Sequence, residues 1–116
     1  LMSSAAARVG LAHHESIAAA KAGIEGLAVS AAATYSRFGV RVNTVAPGLV
    51  RTPLSAKLTS NEAQVKASEA MHPLGRIGEP EDVAGVIDWL LTGSSTWVTG
   101  QNFGVDGGLA RVRSAR

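Results

Sequence analysis

The chain has no cysteine, few aromatic residues and little charge. The first absence excludes disulfides and thiolate metal sites. Two phenylalanines, two tryptophans and one tyrosine in 116 residues leave little to stack on nucleic-acid bases. Charged residues make up 17% of the chain, and the formal net charge is +2. Arg111, Arg113 and Arg116 follow the last acid, Asp106; without them eight basic residues face nine acidic ones. The basicity belongs to a short tail, residues 109–116, so no nucleic-acid partner is expected. No eighteen apolar residues run uninterrupted, so no membrane span or membrane partner is expected. A basic region followed by an apolar run and a cleavage site is also missing, so no secretory signal is visible. These absences together predict a cytoplasmic location. Three histidines without matched acids predict no metal site.

What is present is a core-forming sequence. Hydrophobic residues make up 46%, enough for one modest domain. "LMSS", residues 1–4, reads as the end of a buried strand. A helical pattern runs from about His14 to Phe38, with Ile17, Ile24, Leu27, Ala28, Ala31 and Tyr35 close to helical period. Gly39 supplies its stop, and its many alanines and glycines allow close approach of a neighbour. "VRVNTVA", residues 40–46, alternates and is β-branched, which predicts a strand stopped by Pro47-Gly48. Residues 49–75 mix Ser, Thr, Asn and Lys with Leu and Val and read as irregular or weakly helical, a candidate substrate lid. "GEPED", residues 78–82, puts proline and acids in the first turn of a helix that runs to about Gly93. "TWVTG", residues 96–100, reads as a turn, and "QNFGVDGG", residues 101–108, as a last short strand. The order strand, helix, strand, helix, strand predicts a parallel α/β sheet. Among weaker polar candidates, His72 reads as an exposed loop histidine, and Trp89 and Trp97 as packing residues.

Four pieces occur in a telling order: Ser3-Ser4 at a strand end, "IAAAKAGIEGL", "VRVNTVAPGLVRT", and "PLGRIGEPEDVAGVIDWLL" followed by "VTGQNFGVDGG". Together they resemble the C-terminal half of a short-chain dehydrogenase/reductase, and the resemblance covers essentially the whole chain. It implies half of a doubly wound, Rossmann-like parallel sheet, incomplete without an N-terminal half. It also implies hydride transfer between NAD or NADP and a small-molecule alcohol or carbonyl substrate. The family's serine, which hydrogen-bonds the substrate carbonyl, falls at Ser4. Its lysine, which holds the nicotinamide ribose, falls at Lys21. The Pro-Gly turn and threonine that meet the nicotinamide end of the cofactor fall at Pro47, Gly48, Val50 and Thr52. The long helix resembles the one that builds family dimers and tetramers, so a homo-oligomer is expected.

Two departures stand out. The family's tyrosine, its general acid/base, falls at Ile17, which carries no proton; such a donor typically contributes about 10²–10⁴ in rate. His14 shares a helical stripe with positions 17 and 21, and histidine changes charge near neutral pH. Either His14 takes over the proton, with Glu15 or His13 nearby, or "HHE" merely starts the helix, with Glu15 favouring its positive end. In a third reading Ile17 fills the slot and the protein binds ligand without turnover, as a dinucleotide-binding or scaffold protein or an inactive fragment. The second departure is the absence of a glycine-rich turn between a first strand and a helix, which leaves no pyrophosphate site.

Overall fold

The structure, a computed structural model, describes residues 1–115; Arg116, the last of the three tail arginines, lies outside the described residues. Six elements form the frame: helix α1 (Glu15–Tyr35), strand β1 (Thr44–Pro47), helices α2 (Ala56–Thr59), α3 (Glu62–Met71) and α4 (Pro80–Leu91), and strand β2 (Asn102–Val105). Short 3-10 turns occupy Ala5–Ala7, Ser36–Phe38 and Gly93–Ser95.

β1 and β2 run parallel, with Thr44 opposite Asn102 and Pro47 opposite Val105. On the other side of β1, Met2 makes a parallel bridge to Val45. The Ser3 amide donates to the Val45 carbonyl at 2.8 Å, and the Val45 amide to the Leu1 carbonyl at 3.0 Å. The spatial order is therefore the N-terminal segment, β1, β2, all in one direction. This is the α/β arrangement expected, with "LMSS" as a strand end.

β1 is shorter than residues 40–46 suggest. Residues 41–43 spend their polar groups on the 98–101 segment and on the end of α4 instead. Arg41 donates to the Leu90 and Val98 carbonyls, the Asn43 side chain to the Val98 carbonyl, and the Val42 amide to the Thr99 hydroxyl. Side-chain partners thus supplement a broken ladder, in which the Gly100 amide still donates to the Val42 carbonyl at 2.7 Å, an alternative that period-2 patterning does not register.

α4 owes its start to Asp82, whose carboxylate accepts the Glu79 amide at 2.8 Å while Pro80 sits in the first turn. Its Val83 and Leu90 join Val45 in the buried core, with Val50, Val86, Ile87, Val98, Phe103 and Val105 packed around them. Trp89 meets Phe103 edge-on, ring centroids 5.6 Å apart. Trp97 is 98% exposed, so the expectation that it packs fails. It sits past the short 3-10 turn, where no described element faces it.

α1 ends as expected. A 3-10 turn runs into Gly39 at φ 75°, a left-handed position that glycine adopts without strain. Glu15–Phe38 is long and apolar enough to cross a membrane by length and composition, although no eighteen apolar residues run uninterrupted in it. Lys21 and Glu25 interrupt that run, and both face the N-terminal segment. Ala28 and Ala32 are buried, which assigns α1 to the helical layer against the sheet.

Residues 49–75 are more helical than their composition suggests. Asn61 accepts the Gln64 amide at 3.1 Å and so caps α3. At the other end of the chain Leu109 is buried, because the Asp106 carboxylate accepts the Gly108 and Ala110 amides and turns the chain inward. Exposed basic chain begins only at Arg111.

Candidate functional site

At the C-terminal ends of the N-terminal segment and of β1 opens a cleft of about 620 Å³. This is the end of a parallel sheet at which open α/β folds bind ligands. Its floor holds Ser4, Ala5 and Ala6. One wall is the start of α1 with Leu11, Ala12, His14 and Ile17. The other comprises Pro47–Leu49 and the α2–α3 segment with Leu54, Leu58, Met71 and His72.

The Ser4 hydroxyl accepts the Ala6 amide at 3.1 Å and caps the first 3-10 turn. That bond uses a lone pair and leaves the hydroxyl proton to donate into the cleft. His14 is the residue before α1, and its Nδ1 lies 2.8 Å from the Ala12 carbonyl. A carbonyl only accepts, so Nδ1 carries the proton, and Nε2 is left with a lone pair when the ring is neutral. His13 adopts φ 62° and is exposed outside the cleft. Ile17, one turn on from His14, is 39% exposed with its side chain on the cleft.

Lys21 continues the stripe but does not line the cleft. Its ammonium donates to the Met2 carbonyl at 3.1 Å, leaving two of its three donors. Behind it lies a polar seam. The buried Ser3 hydroxyl donates to Glu25 at 2.6 Å, and Arg8 donates to the same carboxylate at 3.0 Å. Partial burial alone would raise the Glu25 pKa, but the bonds from Ser3 and Arg8 and the Arg8 charge outweigh it and hold it low. Asn102 lies near enough to add a weak pull, although its buried amide atoms make no hydrogen bond of ordinary length. The seam stitches α1 to the segment that carries Ser4.

Pro47 and Gly48 line the cleft; Val50 and Thr52 do not. Val50 packs on the core and bridges to Gly78. Thr52 exchanges hydrogen bonds with Ser55: the Thr52 amide donates to the Ser55 hydroxyl at 3.0 Å and the Ser55 amide to the Thr52 hydroxyl at 3.3 Å.

His72, expected in solvent, is 3% exposed. Its Nδ1 lies 2.6 Å from the Ser68 carbonyl and its Nε2 accepts the Leu49 amide at 3.3 Å. The ring is therefore neutral with the proton on Nδ1, and it pins α3 to the Pro47–Gly48–Leu49 turn. Gly48 presses against it: a Cβ there would stand 2.7 Å from Nε2 and 3.0 Å from the Asp106 Cα. Nothing in the local sequence marks His72 as buried. Glu25, also missed, could have been found by extending the stripe 14, 17, 21 one further turn.

The enoyl-(acyl carrier protein) reductase family matches residues 1–110. The chain is 43% identical over 111 residues to cis-4-hydroxycyclohexanecarboxylate dehydrogenase of Sinomonas cyclohexanicum, covering 96% of this chain and 44% of that protein. A 4-hydroxyisoleucine dehydrogenase complexed with NADH superposes with a TM-score of 0.88 at 28% identity, over 93% of this chain and 44% of that one. Gluconate 5-dehydrogenase from Burkholderia cenocepacia, in complex with NADP and tartrate, does so with a TM-score of 0.87 at 29% identity, over 93% and 42%. The chain thus spans less than half the length of the relatives it matches. Its parallel strands and helices are half of a Rossmann-like sheet, and the chain belongs to the short-chain dehydrogenase/reductase family.

Proposed function

We propose that this chain carries the substrate side of an NAD- or NADP-dependent oxidoreductase acting on an alcohol/carbonyl pair. The observation that carries this reading is the cleft itself, where Ser4, His14, Ile17 and Pro47–Gly48 meet at the strand ends.

The residues present suit the nicotinamide end of a dinucleotide. The Pro47–Gly48 turn offers a flat backbone wall, and Lys21 has two donors free for the vicinal hydroxyls of a ribose. Val50 and Thr52 stand just beyond that turn and complete the proposed cofactor-binding set. No glycine-rich turn between a strand and a helix occurs among the described residues, so they hold no pyrophosphate. When bound, the nicotinamide supplies or takes up the hydride. Ser4 donates a hydrogen bond to the substrate oxygen, where negative charge develops, and keeps its own proton. Ile17 contributes shape but no proton. His14 moves the proton at Nε2, directly or through one water, while the Ala12 carbonyl keeps Nδ1–H in place. The resemblance of α1 to the helix that builds family dimers and tetramers supports a homo-oligomer, and the chain's composition fits a cytoplasmic location.

One observation favours a second reading. Ile17 occupies the acid/base position, so the chain would bind dinucleotide without turnover, as a scaffold or an inactive partner. The test begins with intact and native mass of the purified protein, then titration with NADH and NADPH and assay against a carbonyl panel. Binding with turnover supports the oxidoreductase. Binding without turnover supports the second reading. Absence of binding sinks both.

A further inference from the structure

We infer that the cleft selects an uncharged, compact apolar ketone or secondary alcohol, such as a substituted alicyclic ring, over one bearing a carboxylate, phosphate or ammonium. The inference rests on the oxidoreductase reading for the reacting carbonyl, but on the cleft walls for everything else.

The first observation is the absence of any lysine, arginine, aspartate or glutamate among the described residues that line the cleft. Of its polar side chains, two are already spent. The Ser55 hydroxyl donates to the Val50 carbonyl and accepts the Thr52 amide, and His72 holds the Ser68 carbonyl and the Leu49 amide. Ser4, His14 and Ser68 remain, none of them carrying a fixed charge. Two of these, Ser4 and His14, are claimed by the carbonyl and its proton. A charged substituent buried here would find no opposite charge, and an unpaired buried charge is costly.

The second observation is independent. Ile17, Leu54, Leu58 and Met71 all line this cleft and are left exposed, Leu54 at 98%. Large apolar side chains gathered wet around one concavity mark a surface made to be covered. An apolar ligand removes them from water together with its own surface. A volume of about 620 Å³ falls inside the range of about 300–1,000 Å³ usual for small-molecule pockets. With a nicotinamide ring against Pro47–Gly48, the space left suits one substrate ring.

The test compares two ligands of similar size, 4-tert-butylcyclohexanone and 4-oxocyclohexanecarboxylate, by calorimetric titration of the purified protein with and without NADH. The neutral ketone is expected to bind on the order of 10²-fold tighter. Met71→Arg places a guanidinium at the half-exposed rim and should shift the ratio toward the carboxylate by about tenfold or more. Leu58→Arg serves the same purpose if the first variant melts early by circular dichroism. Equal or tighter binding of the carboxylate by the parent protein overturns the inference. So does a neutral ketone that fails to bind at millimolar concentration, or a ratio that neither arginine moves. The parallel NADH and NADPH titrations keep the two ideas apart. Cofactor binding with the wrong ketone preference sinks only the selectivity, whereas ketone selectivity without cofactor binding sinks only the redox reading.

Discussion

α1 and α4 both pack beside the same short sheet, yet they use it differently. α4 has capping and proline signals at its start and one apolar stripe, and the described sheet absorbs that stripe through Val83 and Leu90. α1 is nearly twice as long, built of alanine and glycine, and buries only Ala28 and Ala32. Its Leu27, Val29 and Tyr35 stand in water. What the start of α1 presents to the N-terminal segment is a candidate site stripe: His14, just before the helix, and Ile17 at the cleft, then Lys21 and Glu25 at the polar seam. One helix is held by what it hides; the other is positioned by polar ties and carries the candidate chemistry. Substitutions in α4 should therefore register as stability, and substitutions in the first half of α1 as activity.

The largest expected effect tests the chemical side. His14→Ala should lower kcat by about 10²–10⁴, and Ile17→Tyr in that background should restore much of it, as single-turnover rates would show. A His14→Ala protein with unchanged turnover would return that residue to the role of a helix start. Leu90→Ala should cost about 2–5 kcal/mol, read from denaturant unfolding. The matching change in α1, Leu27→Ala, should stay within about 0.5 kcal/mol if nothing packs on it. A larger loss there would show that Leu27 is covered in the working protein, which sharpens the contrast rather than erasing it.

A smaller effect is expected where α3 meets the turn after β1. His72→Asn removes the acceptor for the Leu49 amide and should cost about 1–3 kcal/mol. His72→Gln, whose longer side chain can still accept there, should cost less. Equal losses in thermal melts would mean that the ring acts by volume alone.

The smallest effect concerns α4 at low pH. Arg76 forks onto Asp82 at 2.7 and 2.8 Å. The hydrogen bonds from Arg76, with that of the Glu79 amide, hold the Asp82 carboxyl well below the usual carboxylate range. A depressed pKa contributes stability that is fully present above the unfolded value of about 3.9 and is lost as pH falls below it toward the folded value. Both partners are open to solvent, so the effect is modest. Asp82→Asn should lower the neutral plateau of a Tm-against-pH curve slightly, toward the acid values, and so flatten the acid limb below about pH 4.

The same contrast explains what could be read from the chain. α4 was legible because each of its signals is local: Pro80, the acids beside it, and Val83, Val86, Ile87 and Leu90 on one stripe. α1 was legible in extent for the same reason, and Ser4, Lys21 and Ile17 were placed by resemblance to a family. The cleft's shape was not legible, because it depends on where residues 49–75 fold back. Asn61 with Glu62 and Gln64 after it is a local helix-start signal within that mixed polar stretch, but nothing there shows that His72 ends up beneath Gly48. The partners of His72 are four residues behind it in α3 and twenty-three residues away in the β1 turn. Long-range partners of that kind leave no period to detect.

The contact between Gly48 and His72 has a consequence for how the sequence can drift. Gly48 is confined on two sides, by an imidazole that mutation can remove and by the Asp106 main chain that it cannot. Position 72 can therefore change while glycine stays at 48. A side chain arriving first at 48 meets both obstacles and is lost, and one arriving after a smaller residue at 72 still meets the second. The pair should evolve as a one-way gate: relatives with glycine at the first position and varied residues at the second should be common, and the reverse combination rare.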